Sequence, residues 1–128
     1  MALRFWIPGK PVPKGRPRFG QGHAYTPIKT RDYERGALVH ALNAARKQKW
    51  KIPMSGEVSV HLDIHRKLAA TANGDVDNYA KAVLDALCPA FFNDRQVTTL
   101  FCRKLECEAG GEGVAVEISL DTSEADTM

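Results

Sequence analysis

The sequence predicts a small α+β domain: a mixed sheet of about four to five strands with two main helices packed on one side of it. Three observations carry that expectation. Several short segments alternate apolar with polar residues, as half-buried strands do. Two longer segments repeat apolar residues at the helical period. The 128 residues fit one compact domain spanning 1–128 and leave no room for two.

The elements follow in order. Leu3, Phe5 and Ile7 alternate with Arg4 and Trp6, which reads as a first strand. Gly9 to Gly22 is rich in glycine, proline and basic residues, and its prolines deny it helix and central strand, so an exposed loop or loose hairpin is expected. Thr30 is a candidate cap for a helix from about Arg31 to Gln48. Asp32 and Glu34 would then face the positive end of its dipole, with Tyr33, Ala37, Leu38, Ala41, Leu42 and Ala45 buried. Val58, Val60, Leu62 and Ile64 alternate with Ser59, His61, Asp63 and His65, a second strand. His61 and His65 stand roughly 13 Å apart along such a strand, at about 3.3 Å per residue, too far to share one metal ion. A second helix spans about Asp77 to Leu87 and buries Val76, Tyr79, Ala80, Val83, Leu84 and Leu87. Two further strands, Val97 to Glu106 and Val114 to Leu120, enclose Gly110, Gly111 and Gly113, which read as a hairpin turn. Residues 122–128 are expected to fray.

Composition narrows the functional classes. With 44% apolar and 26% charged residues the chain is ordinary for a globular protein, and its apolar runs are too short to span a bilayer. The first residues lack the apolar core of a signal peptide, so the cytoplasm is the expected compartment. Cys88, Cys102 and Cys107 form no C-x-x-C pair and indicate neither a disulfide framework nor a zinc site. No Ser/His/Asp or Cys/His arrangement and no organic-cofactor motif is present.

The net charge of +3 conceals an asymmetry. Residues 1–51 hold 12 Lys/Arg against two acids, a balance of +10, while residues 52–128 hold six against 13, a balance of −7. Such a division suits a polyanion-binding surface beside an acidic centre, although scattered surface charge gives the same totals.

The acidic centre points to Asp75 to Gln96. Asp75 and Asp77 flank Val76 just before a helix, where extended chain would turn both carboxylates to one side. Two carboxylates so placed repel unless a cation or proton sits between them. Asp77, Lys81 and Asp85 are spaced by four and line one helix face, with Asp85 about 12 Å along the axis from Asp77 at ~1.5 Å per residue. Asp94 follows in the turn after the helix, and only tertiary structure decides whether it returns to the helix start. Each feature also has a plain structural reading: caps and turns, or i,i+4 surface pairs worth about 0.2–0.5 kcal/mol. An EF-hand is disfavoured, because Ala80 and Ala86 stand where its loop needs Gly and Glu.

Taken together, D-x-D-N-x-x-K-x-x-x-D followed after seven residues by N-D-x-Q resembles the signature of the RusA family of Holliday-junction resolvases. Asp75, Asp77, Asn78, Lys81, Asp85, Asn93, Asp94 and Gln96 carry it. The opening Gly9-Lys10-Pro11, Arg16-Pro17-Arg18 and Tyr25-Thr26-Pro27 resembles phage-encoded members. The resemblance implies a homodimer that binds four-way DNA junctions and nicks two opposed strands, acting in recombination and repair. It implies Mg²⁺, with Mn²⁺ as a substitute, held by Asp75, Asp77 and Asp94, and Lys81 as a further catalytic residue. Asn78, Asp85 and Gln96 would support the site. Lys10, Lys14, Arg16, Arg18, Lys29, Arg31 and Arg35 would contact backbone phosphates. One departure is that Leu68 to Gly74 holds no basic residue. The alternatives are a non-catalytic branched-DNA-binding protein and a nuclease for forks and flaps.

Overall fold

A computed structural model describes residues 2–14, 28–67 and 74–120, together with the backbone of 18–20 and 23–25. Strand β1 (Ala2–Pro8) leads through the basic segment to a short antiparallel pair, β2 (Arg18–Gly20) and β3 (His23–Tyr25). Helix α1 (Ile28–Lys47), strand β4 (Val58–Arg66), helix α2 (Val76–Leu87), and strands β5 (Val97–Glu106) and β6 (Gly113–Leu120) follow. The main sheet has the order β1-β6-β4-β5. Its β1–β6 and β6–β4 pairings are antiparallel, and β4–β5 is parallel. The chain is therefore the expected α+β domain with a mixed four-stranded sheet and two helices. Among the described residues no helix is long and apolar enough to cross a membrane.

Alternation decides which face the helices cover. Leu3 and Ile7 of β1, Val58, Val60, Leu62 and Ile64 of β4, and Val114, Val116 and Ile118 of β6 are all buried on one face. They meet Ala37, Ala41 and Ala45 of α1 and Tyr79, Val83 and Leu87 of α2, with Phe91 and Phe92 closing the end. Each large apolar side chain so buried stabilises the fold by about 1.5–3 kcal/mol. The opposite face carries His61 stacked on Phe101 at 4.5 Å and Trp6 tilted against His65 at 5.3 Å. His61 Nε2 also lies 3.1 Å from Asp63 Oδ1. The two strand histidines therefore have separate surface partners.

The structure departs from the sequence expectations in four places. Helix α1 begins at Ile28, so Thr30 is a buried helical residue instead of its cap, and no acid stands in the first turn. Leu42 and Val76 are exposed: a stripe of small alanines seats α1 closely, and Val76 opens α2 at the surface. Strands β5 and β6 do not form a hairpin, because β4 lies between them. The glycine turn, with Gly110 at φ +91°, reverses the chain, but a turn specifies reversal and not which strand lies alongside. The frayed tail expected over 122–128 lies outside the described residues.

Parallel strands need a crossover, and α2 supplies it between β4 and β5. Its two ends are fixed against β5. Near its start, Cys102 Sγ donates to Val76 O at 3.7 Å and Lys104 Nζ to Gly74 O at 3.0 Å. Its far half shares a cleft with Val97 and Leu100. Helix and strand therefore run in opposite directions.

Candidate functional site

Asp75 is the residue before α2, with extended backbone at φ −73° and ψ 150°. Its carbonyl accepts the N–H groups of Asn78 and Tyr79 at 3.1 and 3.2 Å, closing the first turn. Its side chain makes no cap hydrogen bond and is exposed. Val76 is already helical, so Asp75 and Asp77 are not two steps along extended chain. The predicted convergence of their side chains loses its basis, since helical residues two apart do not face each other. They nonetheless share one end of α2, both exposed and without an ion pair among the described residues.

The segment leading into Asp75 is fastened from three sides. Gly74 N–H donates to Tyr79 Oη at 3.1 Å, and Lys104 donates to its carbonyl. Pro13 packs so closely that a Cβ on Gly74 would lie 2.7 Å from its ring. Only glycine leaves room there. The backbone N–H of Lys14 reaches Asn78 O at 2.9 Å, which moors the basic N-terminal segment along the start of α2. Arg66 helps: it is 2% exposed, its guanidinium stands 5.7 Å from the centre of the Tyr79 ring, and Nη1 donates to Pro11 O at 3.3 Å. Sequence reading gave Arg66 no structural role. A charged residue in an alternating strand was the available signal, since its position on the buried face follows from β4's period.

On the open face of α2, Asp77, Lys81 and Asp85 do not form the i,i+4 ion pairs that were their plain structural reading. Asp85 pairs with Lys14 Nζ at 3.0 Å, and the same ammonium donates to Glu34 Oε2 at 2.7 Å. Lys14 thus clamps α1 to α2. Burial alone would lower its pKa, but the hydrogen bonds and charges of Glu34 and Asp85 outweigh that and raise it. This half-buried cation is not presented to a polyanion as the sequence suggested. Lys10, Lys29, Arg31 and Arg35 are exposed. Arg16 and the side chain of Arg18 lie outside the described residues.

Lys81 is left exposed and makes no ion pair among the described residues. With Ala80, Leu84, Asp85, Asp94, Val97 and Leu100 it lines a cleft of about 360 Å³ beside α2. Asp94 enters this cleft from a single 3₁₀ turn, Asp94–Gln96. Gln96 holds that turn: its Oε1 accepts Asn93 N–H at 2.9 Å, while Nε2 donates to Met54 O at 2.8 Å and Gly56 O at 2.9 Å. The N-D-x-Q spacing thus has a mechanical meaning, with Asn93 and Gln96 locking the turn that presents Asp94. Cys88 Sγ donates to Asp94 Oδ1 at 3.2 Å. Burial, then the neighbouring Asp94 and Asp85, push this thiol up to about 12, so it stays protonated and able to donate.

The structure therefore brings Lys81, Asp85 and Asp94 to one cleft but does not bring Asp94 to Asp75 and Asp77. Asp75 opens α2 and Asp94 is held at Cys88, just past its other end. The 12 residues between make α2 about 18 Å long, at ~1.5 Å per residue. Among the described residues no three His, Cys, Asp or Glu side chains are placed to hold a metal ion. Asp75 and Asp77 suit a hard cation by chemistry, being oxygen donors with no ion pair among the described residues. The set of Asp75, Asp77 and Asp94 does not fit a single ion within one chain.

Comparison with known proteins adds one finding. No curated protein matches the chain at a significant level. A family model described as endodeoxyribonuclease RusA matches residues 8–119, a span that includes the basic segment, α2 and the Asn93–Gln96 turn. By that match over most of its length, and by the placement of its signature on α2 and the turn beyond, the chain belongs to the RusA endodeoxyribonuclease family.

Proposed function

We propose that the chain is a Mg²⁺-dependent endonuclease that resolves four-way DNA junctions by paired nicks on opposed strands, with Mn²⁺ as a substitute ion. The observation that carries this reading is selective pairing on one helix face. Asp85 is neutralised by Lys14, whereas Asp75, Asp77 and Lys81 are exposed and make no ion pair among the described residues. Surface charges of opposite sign on one helix ordinarily pair at i,i+4. Leaving them apart suits groups that meet a phosphate and a cation instead.

The division of labour follows from residue chemistry. Asp75 and Asp77 would hold the ion through one or two carboxylates, with water and substrate phosphate filling its remaining positions, as is usual for Mg²⁺. When bound, such an ion polarises the scissile phosphate and lowers the pKa of an attacking water. Lys81 offsets negative charge that grows on the phosphate. Asp94, fixed by Cys88 and the Gln96 turn, supplies a further carboxylate. Exposed Lys10, Lys29, Arg31 and Arg35 bind backbone phosphates, with affinity that falls as salt rises.

Replacing Asp75 with Asn tests the reading. Cleavage of a four-way junction should fall by about 100-fold or more, the scale of losing a charge-stabilising group. Junction binding should be retained, because removing negative charge does not weaken attraction to DNA. Cleavage at the wild-type rate would remove the metal role of Asp75. Wild-type binding without any cutting would reassign the chain to the non-catalytic class, and equal cutting of junction, fork and flap would replace the junction label with a broader one.

A further inference from the structure

We propose that Tyr79 is a positioning residue for strand cleavage: its hydroxyl and backbone N–H together set the direction of the Asp75 carboxylate, and the buried Arg66 guanidinium holds the Tyr79 ring where it can do so. This rests on the nuclease reading above. It names two residues outside the D-x-D-N-x-x-K-x-x-x-D and N-D-x-Q patterns on which the geometry of that site depends.

The direction of Asp75 has to come from its backbone. The carboxylate makes no cap hydrogen bond and, among the described residues, no ion pair. A side chain without such a tether points where its backbone and the allowed rotamers send it. Tyr79 grips that backbone on both sides. Its N–H donates to Asp75 O at 3.2 Å, and its Oη accepts Gly74 N–H at 3.1 Å. Side chains in a helix lean towards its N-terminus, which lets Tyr79 in the first turn of α2 reach back past Asp75. Lys104 Nζ, 3.0 Å from Gly74 O, fixes the peptide that joins Gly74 to Asp75.

Arg66 gives the ring a directional partner. Strand β4 buries every second residue, and Val58, Val60, Leu62 and Ile64 lead to Arg66 on the same face. An apolar side chain would continue that series. A guanidinium stays charged in a protein, and burying a charge is costly unless it is paired. Arg66 is buried, makes no ion pair among the described residues, and leaves Nε without a hydrogen-bond partner. Its contacts are Pro11 O at 3.3 Å and the face of the Tyr79 ring, 5.7 Å from the centre. A cation over an aromatic face is attracted by the ring, more strongly when water is excluded. Both contacts lead to Asp75. One runs through the Tyr79 ring, and the other through Pro11 to Pro13, which packs on Gly74.

Chemistry is sensitive to this kind of support. A misplacement of about 1 Å at a reacting group can cost about 100-fold in rate. Without Tyr79 Oη the Gly74–Asp75 peptide gains freedom, and the Asp75 carboxylate spreads over more directions. Binding of DNA by the exposed cations of other segments does not depend on that direction.

Tyr79→Phe tests the proposal, because it keeps the ring and removes only Oη. At a temperature where the variant is fully folded, kcat for junction cleavage should fall by about 10-fold or more, with KM and junction affinity in EDTA unchanged. A wild-type kcat, or a loss confined to KM, overturns the positioning role. Arg66→Met is the second variant, since methionine continues the apolar series of β4. If Arg66 acts through Tyr79, Arg66→Met also slows cleavage, and the double variant is no slower than the slower single one. Losses that multiply overturn that link. Amide hydrogen exchange followed by NMR is independent of cleavage. In Tyr79→Phe the Gly74 N–H should exchange about 10-fold faster or more, with the Leu87 amide unchanged. Unchanged exchange at Gly74 overturns the grip of Tyr79 on this backbone. If wild-type protein cuts no junction at all, the nuclease reading fails, while exchange at Gly74 still decides whether Tyr79 holds the chain before Asp75.

Discussion

Asp75 and Asp94 stand at opposite ends of α2, the first with a carboxylate that makes no cap hydrogen bond and the second held by the Cys88 thiol at 3.2 Å. Twelve helical residues separate two groups that the family signature joins by sequence. The consequences concern what keeps each group in place.

Cys88 acts as a donor and not as a nucleophile. With its thiol pushed up to about 12, it stays protonated at neutral pH and should react with thiol reagents at pH 8 far more slowly than a free cysteine. Cys88→Ala should slow junction cleavage by releasing Asp94, and Cys88→Ser, which keeps an O–H donor, should recover most of the rate. Equal rates for all three proteins would show that this hydrogen bond does not position Asp94.

Gln96 is the lock of the turn. Gln96→Ala removes three hydrogen bonds and strands the carbonyls of Met54 and Gly56, costing about 1–3 kcal/mol. The thermal midpoint should drop by several degrees. Cleavage should drop further than stability alone explains, measured at a temperature where the variant is fully folded. An unchanged midpoint would contradict the bonding described for Gln96.

Lys14 is a brace between helices, unlike the exposed cations near it. Lys14→Ala should destabilise the fold by about 1–3 kcal/mol, since it leaves Glu34 and Asp85 without their shared cation. The salt dependence of junction binding should be nearly unchanged. Lys10→Ala or Arg31→Ala should instead leave stability intact and reduce the log–log salt slope by about 0.9 each. Titrations at several salt concentrations separate the two classes, and a reduced slope for Lys14→Ala would restore it to the DNA-contacting set.

The legible parts of the sequence were those governed by local periodicity. The β5 bounds match the expectation, Val97 to Glu106, and α2 differs by one residue at its start. The one-residue difference matters, because it makes Asp75 and Asp77 flank a helical Val76 instead of an extended one. Long-range choices were not legible. Nothing local tells β6 to pair with β4 and β1 instead of β5, or Asp85 to choose Lys14 over Lys81. The i,i+4 rule is worth only about 0.2–0.5 kcal/mol, so a half-buried ammonium bridging two helices outweighs it. Likewise the spacing of Asp94 from Asp77 carries no information about the Cys88 thiol that holds it.

Lys81 is exposed and makes no ion pair among the described residues. Lys81→Ala should slow cleavage by about 100-fold with near-normal junction affinity, the pattern of a group that acts on developing charge. A loss confined to affinity would make it a binding residue.

The most direct test of the whole account is cleavage of a synthetic four-way junction by the purified chain, with Mg²⁺ and with EDTA, beside linear duplex of the same sequence. Paired, symmetric nicks on the junction that require Mg²⁺, with the duplex intact, are the predicted result. Tight junction binding with no cutting under any divalent ion would contradict it and leave the acids of α2 as caps and turns.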